Sequence, residues 1–144
     1  MILLTKIKLA IAFQVSLNYK ENHQYQKIID RLEKYRFFVD NKISYSFTEY
    51  YILLGEAYYK VTNYKISEGY LLNALEHIEK ETKLNEDEKN YLKYYTYGRL
   101  YLVYNNLYEN IKSKRCLELF TEITFNEKNI RRYIQAYFTL DNLN

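Results

Sequence analysis

The groups in this chain of 144 residues that could ligate a metal, or act as nucleophile and base, are two histidines, one cysteine and eighteen carboxylates. A metal site needs several of them at short, regular spacing, as in HExxH or CxxC. His23 and His77 are far apart in sequence and neither motif occurs. Glu76, His77 and Glu79 share one stretch and read as a solvated helix surface. Cys116 stands alone and reads as a small apolar filler. Gly55, Gly69 and Gly98 are isolated, so no glycine loop cradles a phosphate. The pattern points to no catalytic group, no metal and no cofactor, and therefore to a protein that is not an enzyme.

Charge is the next chemical handle. The formal net charge is +3, with 21 basic and 18 acidic residues. Residues 1–42 carry eight basic and four acidic side chains, residues 43–106 seven and nine, and residues 107–144 six and five. A nucleic-acid binder concentrates its cations on one face or tail, and this distribution makes nucleic acid an unlikely partner. Lys112, Lys114 and Arg115 with Lys128, Arg131 and Arg132 could form a basic patch. Glu109, Glu118, Glu122 and Glu127 lie among them, so a salt-bridged solvated face is expected. A nucleic-acid-associated helical repeat using this patch is the alternative reading, and a salt titration separates the two.

What remains is recognition, and recognition depends on the elements that hold the side chains. The length suits one domain. Hydrophobic residues make up 48% and charged residues 27%, which suits a folded soluble protein. Proline is absent and glycine occurs three times, which permits long helices and argues against a turn-rich β fold. The nineteen tyrosines, with abundant Lys, Asn and Ile, match the codon bias of an AT-rich genome. One cysteine cannot form an internal disulfide, which suits a reducing, cytoplasmic compartment. Residues 9–17 have the length of a signal-peptide core. Lys6 and Lys8 come late for that role, Gln14 interrupts the run, and no small-x-small cleavage site follows. The run also reads as too short and too charged to span a bilayer. A first amphipathic helix is expected there, and no membrane partner.

Helix starts are marked along the chain. Ser46-Phe47-Thr48-Glu49 fits a capping box, with Tyr45 and Tyr50 as its hydrophobic staple. Asn85-Glu86-Asp87-Glu88 offers an Asn cap with acids in the first turn. Thr124-Phe125-Asn126-Glu127 repeats the pattern, and Asn22 and Asn63 are candidate caps. Between them, apolar residues follow the helical period. Phe47, Tyr51, Leu54 and Tyr58 form one stripe. Tyr94, Tyr97, Tyr101, Tyr104 and Tyr108 form another, expected to face a core. The predicted fold class is all-α, with about seven helices over 3–19, 23–38, 47–61, 64–81, 87–105, 108–123 and 127–140. Short connections make neighbours antiparallel hairpins.

Residues 51–78 resemble a tetratricopeptide repeat, a helix–turn–helix of about 34 residues with the pattern W-x2-L-G-x2-Y followed by A-x3-F. Tyr51, Leu54, Gly55 and Tyr58 stand in the first four places. Asn63-Tyr64 opens the second helix, and Ser67, Leu71 and Ala74 take its small, aromatic and small places. Ala12, Val15, Ser16 and Tyr19 align with the same four places upstream, as do Tyr94, Tyr97, Gly98 and Tyr101 downstream. Gly55 follows Ser16 by 39 residues and precedes Gly98 by 43, so the repeats are lengthened. Such long repeats are similar to those of the peptide-pheromone receptors of Gram-positive bacteria, Rap-type regulators and phage arbitrium receptors. The DNA-binding domain of that group has no counterpart here, so a truncated relative of a larger peptide-responsive regulator is a further reading. The resemblance implies one domain over 1–144, a right-handed solenoid of repeats at about 3–38, 47–81 and 87–123, closed by a capping helix at 127–140.

The same resemblance implies a non-enzymatic module that binds a protein or peptide on the concave face lined by the first helix of each hairpin. The residues expected to point into that groove are Phe13, Leu17 and Lys20; Ile52, Glu56, Tyr59 and Lys60; and Tyr95, Arg99, Leu102 and Asn106. They share one face by helical spacing. Glu56 would oppose the acidic C-terminal tails that chaperone-binding members hold with Lys and Asn. The expected ligand is an extended, mostly apolar peptide, its backbone held by Asn106 and its charge by Arg99. Ile2, Leu3, Leu4 and Ile7 at one end, and Ile134, Tyr137, Phe138 and Leu140 at the other, leave the stack uncapped unless helix 127–140 covers an end or a homodimer forms.

Overall fold

The computed structural model describes residues 2–41 and 47–130, and these residues fold entirely as helices and their connections. Helix α1 spans Ile2–Glu21. Helix α2, Tyr25–Leu32, runs through one 3-10 turn, Glu33–Tyr35, into the short α3, Arg36–Asn41. Then come α4 (Thr48–Lys60), α5 (Tyr64–Lys80), α6 (Glu86–Asn106) and α7 (Asn110–Glu122). With α2 and α3 taken as one interrupted helix, the described residues hold six helices where about seven were expected. The described start of the seventh is a single 3-10 turn, Glu127–Asn129, and residues 131–140 of that expected helix lie outside the described residues. The expected cap residue Ser46 and staple residue Tyr45 lie outside them too.

The same turn closes three hairpins. His23, Thr62 and Tyr108 each adopt a left-handed backbone, with φ of 56°, 67° and 56°. In each, the turn residue's N–H reaches back three residues and the next N–H reaches back five. These bonds are His23 to Lys20 and Gln24 to Tyr19, Thr62 to Tyr59 and Asn63 to Tyr58, Tyr108 to Asn105 and Glu109 to Tyr104. This paired return satisfies helix-end carbonyls that would otherwise lack donors. It recurs at Tyr19, Tyr58 and Tyr104, so the backbone itself repeats. The turn corrects one alignment: Tyr104, not Tyr101, is the counterpart of Tyr58. The third hairpin is therefore shifted by three residues from its sequence match, and Tyr101, not Gly98, stands where Gly55 stands. The misleading signal was the Tyr-Gly pair at 97–98, which copies the motif's composition in the wrong turn of the helix.

Caps fix the other ends. Asn85 closes a full capping box at α6, accepting from the Glu88 N–H at 2.7 Å while the Glu88 carboxylate accepts from the Asn85 N–H at 3.1 Å. Asn126 accepts from the Lys128 N–H. Asn63 sits at the N-cap of α5 without a side-chain bond, and Asn22 instead donates to the Asn18 carbonyl.

Each helix packs on the next, with α1 on α2, α2 on α4, α4 on α5, α5 on α6 and α6 on α7. The α4–α5 pair approaches closely because Gly55 has no side chain. A Cβ there would lie 2.7 Å from two atoms of the buried Leu71. The Ser67 hydroxyl donates to the Gly55 carbonyl at 2.6 Å across the same contact. The main core gathers Leu9, Phe13, Ile28, Leu32, Tyr50 to Leu54, Tyr70, Ile78, Leu92 and Tyr95, and Ile130 is buried with them. A second cluster joins Leu71, Leu100, Val103, Tyr104 and Cys116. Of the tyrosine stripe on α6, Tyr94, Tyr97 and Tyr101 are half-buried, Tyr104 is buried, and Tyr108 is exposed at the turn.

Candidate functional site

The first helices of the three hairpins, α1, α4 and α6, meet at the face expected to form the groove. The structure does not leave that face open. Phe13, Ile52, Glu56, Tyr95 and Arg99 are all buried. Leu17, Tyr59 and Leu102 are half-buried, and Asn106 is exposed. The expectation that these residues all line an accessible groove is corrected accordingly. Phe13 packs its ring against Phe47, 4.8 Å between centroids. Ile52 is a core residue. Asn106 donates its amide to the Leu102 carbonyl of its own helix. The apolar character that suggested a peptide groove serves the core instead.

Four of the predicted residues, Lys20, Glu56, Tyr95 and Arg99, are brought together. The Tyr95 hydroxyl donates to Glu56 Oε2. Lys20 Nζ lies 3.6 Å from that oxygen and donates to the Tyr95 hydroxyl at 3.1 Å. Arg99 Nε lies 3.6 Å from the same Oε2, and its Nη2 donates to Tyr95 at 3.2 Å. Both cations also lie over the Tyr95 ring, Lys20 at 5.3 Å and Arg99 at 4.8 Å from its centroid. One helix from each hairpin thus contributes to a single buried ionic cluster. Burial and the adjacent Glu56 charge push the Tyr95 phenol well above its usual range, so it stays a neutral donor. Charges placed this way can fix the register of three helices. They cannot meet a solvent-borne ligand without opening the face.

A second cluster lies on the opposite side of α4 and was not anticipated. Glu33, at the break between α2 and α3, accepts from the Tyr58 and Tyr70 hydroxyls, each at 2.7 Å. Asp40 accepts from Tyr51 at 2.6 Å and from Arg36 at 3.3 Å, and the Arg36 guanidinium lies 4.8 Å from the Tyr70 centroid. Burial, with the Glu33 carboxylate next, pushes the Tyr58 phenol up to about 12. A signal was present: two acids, Glu33 and Asp40, among the aromatic residues Tyr35, Phe37 and Phe38.

Two cations of the basic patch, Lys112 and Arg115, are paired with acids. Lys112 pairs with Glu109 at 3.0 Å and reaches Glu68 at 4.0 Å, and Arg115 pairs with Glu118 at 3.5 Å. Arg131 and Arg132 lie outside the described residues. Cys116 is buried, and burial pushes its thiol up to about 11, which leaves it protonated and weakly nucleophilic at neutral pH. Among the described residues, no three His, Cys, Asp or Glu side chains form a group that could hold a metal ion. What stays accessible on the first-helix face is its rim near the hairpin turns: Leu17, Tyr59, Lys60, Leu102 and Asn106. No family profile matches the chain, and no curated protein or solved structure matches it.

Proposed function

We propose that this protein is a non-enzymatic, cytoplasmic binding module built from tetratricopeptide-like hairpins, and that it holds an extended, mostly apolar protein segment. The observation that carries the reading is the threefold recurrence of one left-handed turn with the same pair of return bonds, at Tyr19, Tyr58 and Tyr104. Repeated hairpins present the same helix face side by side and so build extended recognition surfaces. The close approach of α4 and α5 at Gly55 and Ser67 supports the same reading. The contact surface is the accessible rim, with Tyr59 as aromatic anchor, Leu17 and Leu102 as apolar neighbours, and Lys60 and Asn106 as polar ends.

The test is selection from a random peptide library on the immobilised full chain, followed by titration against Tyr59→Ala/Leu102→Ala. Enriched apolar peptides that the double variant binds at least roughly tenfold more weakly support the rim. No enrichment, or equal binding by a variant whose circular dichroism is unchanged, overturns it.

A further inference from the structure

The N-terminal helix carries a surface that the rim does not use. Leu9, Ala12, Phe13 and Ser16 of α1 are buried against the fold. On the opposite side, Leu3, Leu4, Ile7 and Ile11 are 70%, 55%, 48% and 57% exposed. At about 3.6 residues per turn they form one strip along the first three turns. Gln14 and Asn18 continue the same line, so the strip ends where the helix becomes polar. Exposed aliphatic side chains in one continuous strip mark a contact surface.

The charges bordering the strip are basic. Residues 2–20 contain no acid and three lysines, of which Lys20 turns inward to Glu56 and leaves Lys6 and Lys8 beside the strip. By helical angle Lys8 lies on the border that also carries Tyr19, and Lys6 on the other. Beside Tyr19, an open depression of about 420 Å³ is lined by Lys27, Asp30 and Arg31 of α2 and by Lys34 of the 3-10 turn that follows it. Lys27 Nζ sits 5.6 Å from the Tyr19 centroid, which ties the cations of α2 to the same border. Aliphatic side chains facing outward, long cationic side chains at the edges and an aromatic hydroxyl at the margin are what a bilayer interface takes up.

We propose that the first hairpin docks on an anionic lipid surface, with Leu3, Leu4, Ile7 and Ile11 entering the acyl boundary and Lys8, Lys27, Arg31 and Lys34 meeting lipid phosphates. By length and composition alone, helix α1 has enough apolar residues to cross a membrane, against the expectation that its run was too short. Its buried face argues for lying on the bilayer, since spanning would strip Leu9 and Phe13 from the core they share with Leu32 and Tyr50. A second copy fits less well. Two such strips facing each other would set lysine borders against lysine borders with no carboxylate from α1 before Glu21.

Flotation of the full chain with vesicles tests this, using phosphatidylcholine alone and phosphatidylcholine mixed with phosphatidylglycerol. The wild type should float with the mixed vesicles, weakly or not at all with the neutral ones, and less as salt rises. Leu3→Ser/Ile7→Ser/Ile11→Ser should lose roughly tenfold or more of that binding while keeping its circular dichroism. Lys8→Glu/Arg31→Glu should lose binding to the anionic vesicles specifically. No flotation with mixed vesicles overturns the proposal, as does equal flotation of the folded serine variant or binding indifferent to lipid charge. A dimer in light scattering that the serine variant converts to monomer assigns the strip to a second copy instead. None of these outcomes touches the peptide titration at Tyr59 and Leu102.

Discussion

Helix α4 carries two polar clusters on opposite sides, and they hold a carboxylate in different ways. Glu56 is fully buried and is met by Lys20, Arg99 and Tyr95 from the two neighbouring first helices. Glu33 is half-buried and is met by two tyrosine hydroxyls. Removing a buried charge from water costs several kcal/mol, which good geometry and further hydrogen bonds only then offset. A half-buried carboxylate keeps part of its hydration and needs less. The Glu56 cluster is therefore a specificity device, in which each charge is tolerable only when the other helices are in register. The Glu33 cluster is an ordinary set of hydrogen bonds at a helix break.

The sharpest test of that contrast removes each carboxylate. Glu56→Ala leaves Lys20 and Arg99 without their common anion and should cost about 3–5 kcal/mol of unfolding free energy. Glu33→Ala leaves the half-buried Tyr58 phenol and the buried Tyr70 phenol without their acceptor but strands no charge, and should cost about 1–2 kcal/mol. Urea unfolding followed by circular dichroism measures both, and equal costs would erase the distinction. A narrower test removes one hydroxyl from each side. Tyr95→Phe should cost about 2–3 kcal/mol, because the hydroxyl it deletes is buried and bonded to a charge. Tyr58→Phe should cost about 0.5–1 kcal/mol, because its hydroxyl also meets a carboxylate, Glu33, but both groups are half-buried and regain water.

The sequence made the helices legible because apolar periodicity and caps such as Asn85 are local. It made the face legible too, since the tetratricopeptide resemblance together with helical spacing grouped Glu56, Tyr95 and Arg99. It did not say whether that face was open. Exposure depends on how closely α1, α4 and α6 converge, and no local signal reports that distance. The same limit explains Glu33, whose partners Tyr58 and Tyr70 are 25 and 37 residues away. The third hairpin was misaligned for the opposite reason: Gly98 offered a local match, while the turn at Tyr108, which sets the register, has no glycine to announce it.

The smallest effect at neutral pH separates the clusters by titration. The Tyr58 phenol is raised from 10.0 to about 12 in the fold, first by burial and then by Glu33. A raised folded value means that its contribution to stability is complete below the unfolded value and is lost as pH rises from about 10 through about 12. Unfolding free energy should therefore be flat near neutrality and fall across that window. Glu33→Gln removes the second cause, brings the folded value closer to the unfolded one, and should make the fall shallower though the variant starts less stable. The Tyr95 hydroxyl, held at Glu56, should ionise only when the fold opens, so tyrosinate absorbance should show one early class and one class that tracks unfolding. Parallel slopes for wild type and Glu33→Gln would mean that burial alone sets Tyr58, and that the two sides of α4 differ only in depth.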